Sequence, residues 1–136
     1  SQYFYRLGVA ETWGKNPMKG LAYLEKAIKL GLSTAELFIA KGEALLELNR
    51  LEQAVANFQQ ALSINPDLMD GILRMGMVCE MQGQIADAQY WIERALKLNP
   101  DSAIAHQYLG IIFLRLNEKI KAEEQFAESK RLANLG

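Results

Sequence analysis

The chain has 136 residues, half of them apolar, which is enough for the core of one ordinary domain. A net charge of -1 and a pI near 5.9 argue against broad electrostatic capture of nucleic acid, which needs a basic stripe. A single cysteine excludes an internal disulfide, and no apolar run approaches the ~18 residues of a membrane span.

Taken in order, the chain reads as helices joined by tight turns. The first helix begins at once, and a turn follows at Gly14-Lys15-Asn16-Pro17, where Asn16 can cap and Pro17 can open the second helix. Next, Leu37, Phe38, Ala44, Leu45 and Leu48 recur at three and four, with the stem of Lys41 among them, a helical stripe. Asn49 tolerates the left-handed conformation that ends a helix. A second stripe runs from Leu51 through Ala54, Val55, Phe58, Ala61, Leu62 and Ile64. It stops at Asn65-Pro66, because proline disfavours helix in the residue before it. Gly83 and Asn99-Pro100-Asp101 then repeat the turn and the stop. Nothing alternates with a period of two, so no strand is expected.

The repetition has a fixed period. Gly8, Gly42, Gly76 and Gly110 lie 34 residues apart, as do Ala27, Ala61, Ala95 and Ser129, and Gly20, Ala54, Ala88 and Ala122. With 10 glycines in the chain, the first register alone would arise by chance about once in a thousand. A period of this length predicts an all-α solenoid of four helix-turn-helix repeats, 1–34, 35–68, 69–102 and 103–136, with eight antiparallel helices in one domain. The small columns are expected where paired helices cross closely: Gly42 against Ala54 and Ala61, with Phe38, Leu45 and Phe58 filling the space beside them. A mid-helix glycine costs about 1 kcal/mol against alanine, so a side chain there must cost more.

The pattern resembles the tetratricopeptide repeat. Phe4-Leu7-Gly8, Phe38-Gly42-Ala54-Phe58-Ala61-Pro66, Ile72-Gly76-Ala88-Ile92-Ala95-Pro100 and Leu109-Gly110-Phe113-Ala122-Phe126 carry the resemblance over the whole chain. It implies a right-handed superhelix. Departures include Glu11, Gly20 and Leu32 in the first repeat, and His106 and Asn134 in the fourth. Glu123 stands where earlier repeats carry Leu21, Val55 and Gln89, and Lys130 where they carry Ile28, Leu62 and Leu96, as the polar face of an end cap would, while Phe126, Leu132 and Leu135 stay apolar, as a chance truncation would leave them. Because Ser1 replaces an initiator methionine, the chain is expected to be cut from a longer protein. Its targeting signals would then lie outside these residues, leaving localisation open with the cytoplasm as the default.

No catalytic, cofactor or metal constellation emerges, and a non-enzymatic chain is expected. Cys79 falls in a core column and reads as a small buried hydrophobe. His106 is the only histidine and reads as a partly buried structural imidazole. Glu123 and Glu124 are adjacent, point different ways around a helix and read as a solvated face. No glycine-rich phosphate loop occurs. Trp91 matches a family position that is commonly aromatic, so it and Tyr90 are expected to pack.

The resemblance implies that a protein or peptide partner binds a concave groove lined by five places of each first helix. Here these are Gln2, Tyr5, Val9, Thr12 and Trp13; Glu36, Ile39, Glu43, Leu46 and Glu47; Asp70, Leu73, Met77, Glu80 and Met81; and Ile104, Gln107, Ile111, Leu114 and Arg115. Eleven of these twenty are apolar or aromatic, an extent of surface that marks an interaction site. Five are acidic and one is basic, so the lane carries -4 and the other residues sum to +3. A segment with apolar anchors and Lys or Arg between them is therefore expected, over a lane of roughly 25–30 Å, or about eight extended residues. Met77 and Met81 suit a permissive surface, and Trp13 is the largest anchor. The chaperone-tail clamp of the family does not fit, since Tyr5, Val9, Ala40 and Asp70 occupy its places and only Arg74 agrees. Two other roles fit a repeat scaffold: self-assembly into a homo-oligomer, or regulation of a catalytic domain in the same parent chain.

Overall fold

The computed structural model describes residues 1–135, and among them it is all-α, with eight helices. They are α1 (Gln2–Trp13), α2 (Pro17–Lys29), α3 (Ala35–Glu47), α4 (Leu51–Ile64), α5 (Met69–Met81), α6 (Ile85–Leu98), α7 (Ala103–Arg115) and α8 (Lys119–Ala133). Two compact bodies result, an N-terminal one from Ser1 to Gly71 and a C-terminal one from Ile72 onward.

Every hairpin turns in the same way. One residue takes a left-handed conformation, at Lys15 (φ 66°), Asn49 (58°), Gly83 (77°) and Asn117 (63°), again 34 apart. The amide after it bonds back five residues: Asn16 to Glu11, Arg50 to Leu45, Gln84 to Cys79 and Glu118 to Phe113, at 2.7–2.8 Å. The left-handed amides bond three residues back, to Thr12, Leu46, Glu80 and Leu114. This paired arrangement satisfies carbonyls that a helix end otherwise leaves bare.

The joints between hairpins use two devices. After α4 and α6 the chain becomes extended at Asn65 and Asn99, and each asparagine Oδ1 accepts the amide of Asp67 or Asp101. The first joint lacks the proline, and there Gly31 goes left-handed (φ 97°) while Leu32 bonds back to Ala27. α3 and α7 open on side-chain caps: Thr34 Oγ1 accepts from the Leu37 amide and Ser102 Oγ from Ala105, both at 3.2 Å. Asn16 holds the N-cap place of α2, but its side chain makes no capping bond. Its ψ of 67°, set by the tight turn, differs from the extended 156° of Thr34.

The glycine column marks close approaches, but its partner differs from the expected one. A Cβ on Gly42 would lie 2.8 Å from Phe58 Cδ1 and Cζ and closer still to Cε1. Gly110 meets Phe126 in the same way, Gly8 meets Leu24, and Gly76 meets Ile92, always 16 residues on. The large side chain of the second helix therefore lies over the glycine itself. Ala54 and Ala61 are fully buried around it, and Phe38 remains half-exposed. In the first hairpin Gly20 adds a backbone contact, since its own Cβ would stand 2.7 Å from the Gly8 carbonyl oxygen. Leu24, Leu37 and Phe58 in the N-terminal body, and Ile72, Val78, Ile92 and Ile112 in the C-terminal body, are the largest fully buried side chains.

Candidate binding surfaces

In the N-terminal body, α1 and α3 present one face each to a shared cleft. Tyr5, Val9 and Trp13 follow one another at i+4 along α1, and Glu36, Ile39, Ala40 and Glu43 at i+3 and i+4 along α3. With Leu68 and Asp70 they enclose about 220 Å³. Ile39, 5% exposed, is its floor, and it also packs toward Gly71, where a Cβ would stand 3.3 Å from Ile39 Cδ1. Tyr5, Val9 and Glu43 are half-buried and Glu36 and Asp70 exposed, while Trp13 stands 73% exposed. Burial pushes the Tyr5 phenol above its usual range, and the carboxylates of Glu36 and Glu43 push it further. The cleft thus has an apolar floor, an aromatic wall and an acidic rim.

Several lane residues lie apart from that cleft. Leu46 is half-buried and Glu47 exposed, and neither lines it. Thr12 belongs to the hairpin interior instead: its hydroxyl donates to the Gly8 carbonyl at 2.9 Å and stands against Gly20. Ala40 and Leu68 line the cleft although the repeat pattern placed neither in the lane. Leu68 just precedes α5, and Ala40 lies four residues after Glu36 and three before Glu43 along α3.

In the C-terminal body Leu73, Met77, Glu80 and Ile111 are half-buried, and Met81, Gln107, Leu114, Arg115 and Ile104 are exposed. Arg115, the only cation of the lane, is bound within the protein: its Nη2 lies 2.9 Å from Glu80 Oε1. The Glu80 side chain is 14% exposed, which makes this pair a link between α5 and α7. Tyr108 on α7 joins the neighbourhood; burial raises its phenol pKa, Arg74 lowers it and Glu80 raises it. Nothing in the repeat pattern singled Tyr108 out, since its place holds Arg6, Ala40 and Arg74 elsewhere.

Elsewhere, Met75 is core at 3% exposure and Cys79 at 5%, with burial and then Asp87 raising the thiol pKa. His106 is half-buried between two partners, with Nε2 2.8 Å from the Pro100 carbonyl and Nδ1 2.7 Å from the Gln125 side chain. Both partners are oxygen atoms, the Pro100 carbonyl and Gln125 Oε1, so each contact is one in which the ring nitrogen is the donor. On α6 the Tyr90 and Trp91 rings meet edge to face at 5.3 Å, and Arg94 lies 5.4 Å from the Trp91 centroid. Trp91 is half-buried, whereas Tyr90 is 60% exposed beside a shallow recess along α6. Ile120, Glu123, Glu124 and Lys130 are exposed on α8, and Leu135, past its end, is exposed too. Among the described residues no group of three or more His, Cys, Asp or Glu could hold a metal ion, and no helix is long and apolar enough to cross a membrane.

Comparison with known proteins places these surfaces in context. Two family models described as tetratricopeptide repeat match residues 15–68 and 45–109. The protein O-mannosyl-transferase TMTC1 of Mus musculus is 36% identical over 96 residues, 68% of this chain. The chain spans only about a tenth of the length of that relative. A crystal structure of MamA superposes with a TM-score of 0.87 at 20% identity, covering 98% of this chain and 78% of that one. YrrB, described as a TPR protein with an unusual peptide-binding site, gives 0.82 at 20% identity, covering 95% and 66%.

Proposed function

Because the chain belongs to the tetratricopeptide repeat family, we propose that it is a non-catalytic binding module that docks a peptide segment of another protein on the faces of its first helices. The observation that carries this reading is the cleft between α1 and α3, where the exposed Trp13 overhangs a buried Ile39 floor. An indole left in water beside an apolar recess gains by being covered, and aromatic anchors of this kind dominate binding energy. The ligand class follows from each body taken by itself: apolar anchors for Val9 and Ile39 with basic residues toward Glu36, Glu43 and Asp70 in the N-terminal body, and apolar anchors for Met77, Met81 and Leu114 in the C-terminal one. Peptide as the kind of ligand also agrees with the site described for YrrB.

The test is a pull-down from the native source with wild type and Trp13→Ala/Met77→Ala/Leu114→Ala. Partners held by wild type and lost by the triple variant are expected. Equal recovery by both moves the site off these faces. Ile120 (75% exposed), on α8, and Leu135 (71%), just past its end, favour a second reading, self-association through this C-terminal segment. A mass that rises with concentration in light scattering, with no peptide captured, selects that reading.

A further inference from the structure

The exposed side of α8 carries a charge pattern that is complementary to itself when reversed end for end. Ile120, Glu123, Glu124, Ala127, Lys130 and Arg131 recur at three and four along one stripe and are all exposed, while Ala122, on the opposite side, is buried. Ala127 is the centre of that stripe. The two carboxylates lie three and four residues before it, and the two cations three and four residues after it. Farther out, Ile120 (75% exposed) lies seven residues before it and Leu135 (71%) eight after, so each end of the stripe carries an apolar side chain in water.

On the self-association reading, we propose that the partner of this face is a second copy of the chain, docked α8 against α8, antiparallel, about a two-fold axis at Ala127. The small side chain there lets the two helix axes approach at the close end of the ~8–10 Å range. Glu123 of each copy then faces Lys130 of the other, and Glu124 faces Arg131. Each Ile120 meets the other copy's Leu135, so the apolar ends cover one another. Arg131 already holds Glu128 on its own helix, an exposed i+3 pair of little worth, and its planar fork can serve a second carboxylate. A parallel pairing is disfavoured by the same pattern, because it sets Glu123 against Glu123 and Lys130 against Lys130. One helix pair covers less than the ~800 Å² per partner of a standard interface, so the dimer is weak and exchanges. Peptide docking on the first helices uses none of these residues.

The experiment is sedimentation equilibrium of the full chain from micromolar to millimolar concentration. A mass that rises toward the dimer, and falls back as salt screens the exposed pairs, is expected. Glu123→Lys/Glu124→Lys makes the charges of the stripe wholly basic, and Lys130→Glu/Arg131→Glu makes them wholly acidic. Each should weaken association about a hundredfold, and an equimolar mixture of the two should associate again. Ile120→Ser, at a position that a single chain leaves in water, should weaken association about tenfold without disturbing the fold.

No rise in mass at millimolar wild type overturns both the antiparallel pairing and the self-association reading. A rise kept by both charge variants, or kept by Ile120→Ser, overturns the pairing and leaves self-association through another face. A mixture of the two charge variants that stays monomeric overturns it as well. Loss in each charge variant and recovery in their mixture supports it.

Discussion

The Phe58 ring occupies the space that a side chain at Gly42 would need: an added Cβ would fall 2.8 Å or less from three of its ring carbons. Gly42→Ala gains helix propensity of about 1 kcal/mol but forces a fully buried ring to move, and overpacking of that kind costs about 1–3 kcal/mol. Overpacking should win, giving a net loss of about 1 kcal/mol in urea unfolding. In a Phe58→Ala background the same substitution should cost nothing further. Equal costs in both backgrounds would show that the ring is not what excludes the side chain.

The caps separate residues that occupy equivalent places. Thr34→Ala and Ser102→Ala each remove a hydroxyl that accepts a first-turn amide, and each should cost about 1 kcal/mol. Asn16→Ala removes a side chain with no capping bond and should cost distinctly less. Thermal unfolding of the three variants side by side checks the order.

The Tyr5 phenol should titrate later than an ordinary tyrosine. Its folded pKa is raised, first by burial and then by Glu36 and Glu43. The folded state therefore holds the proton longer than the unfolded one. The stability this represents is fully present below about pH 10 and is lost as pH rises through the folded value. Ultraviolet titration of wild type against Tyr5→Phe isolates the phenol, and Glu36→Gln should move its transition back down.

Cys79 should resist thiol reagents while the chain is folded. It is 5% exposed, and burial, with Asp87 behind it, favours the unreactive protonated thiol. Modification should become complete only as urea unfolds the chain. Native-state labelling at the rate of free cysteine would contradict the placement.

The period, the helix pairs, the stops at Asn65 and Asn99 and the core place of Cys79 were legible because each depends on residues near in sequence or on a repeated column. What escaped depends on meetings across helices. The pattern put Ala54 and Ala61 against Gly42, since small residues suggest mutual contact, but a large ring over a glycine fills the same space. Ile39 was read as lane surface, yet its burial depends on what packs from the start of α5, which no stripe on α3 reports. Thr12 shares the spacing of Leu46 and Leu114, but its hydroxyl finds the Gly8 carbonyl and Gly20 admits it. Arg115 counted as a lane charge because Glu80 lies 35 places away, one repeat and one residue, where no helix-face rule pairs them. Lys15 takes the left-handed turn although lysine has no preference for it; only the column with Asn49, Gly83 and Asn117 gives it away.

Those four turns also bear on how the chain reaches its native state. Each hairpin closes through a loop of three residues, so its search for partners is short and its loop entropy small. Contacts such as Gly42–Phe58, 16 residues apart, keep contact order low, and low contact order makes folding fast. Any of the four hairpins can act as the seed from which its neighbours order, as in a linear array of near-independent units. A Lys15→Pro substitution, which forbids the left-handed φ, should therefore slow closure of the first hairpin, while the other three retain the means to close.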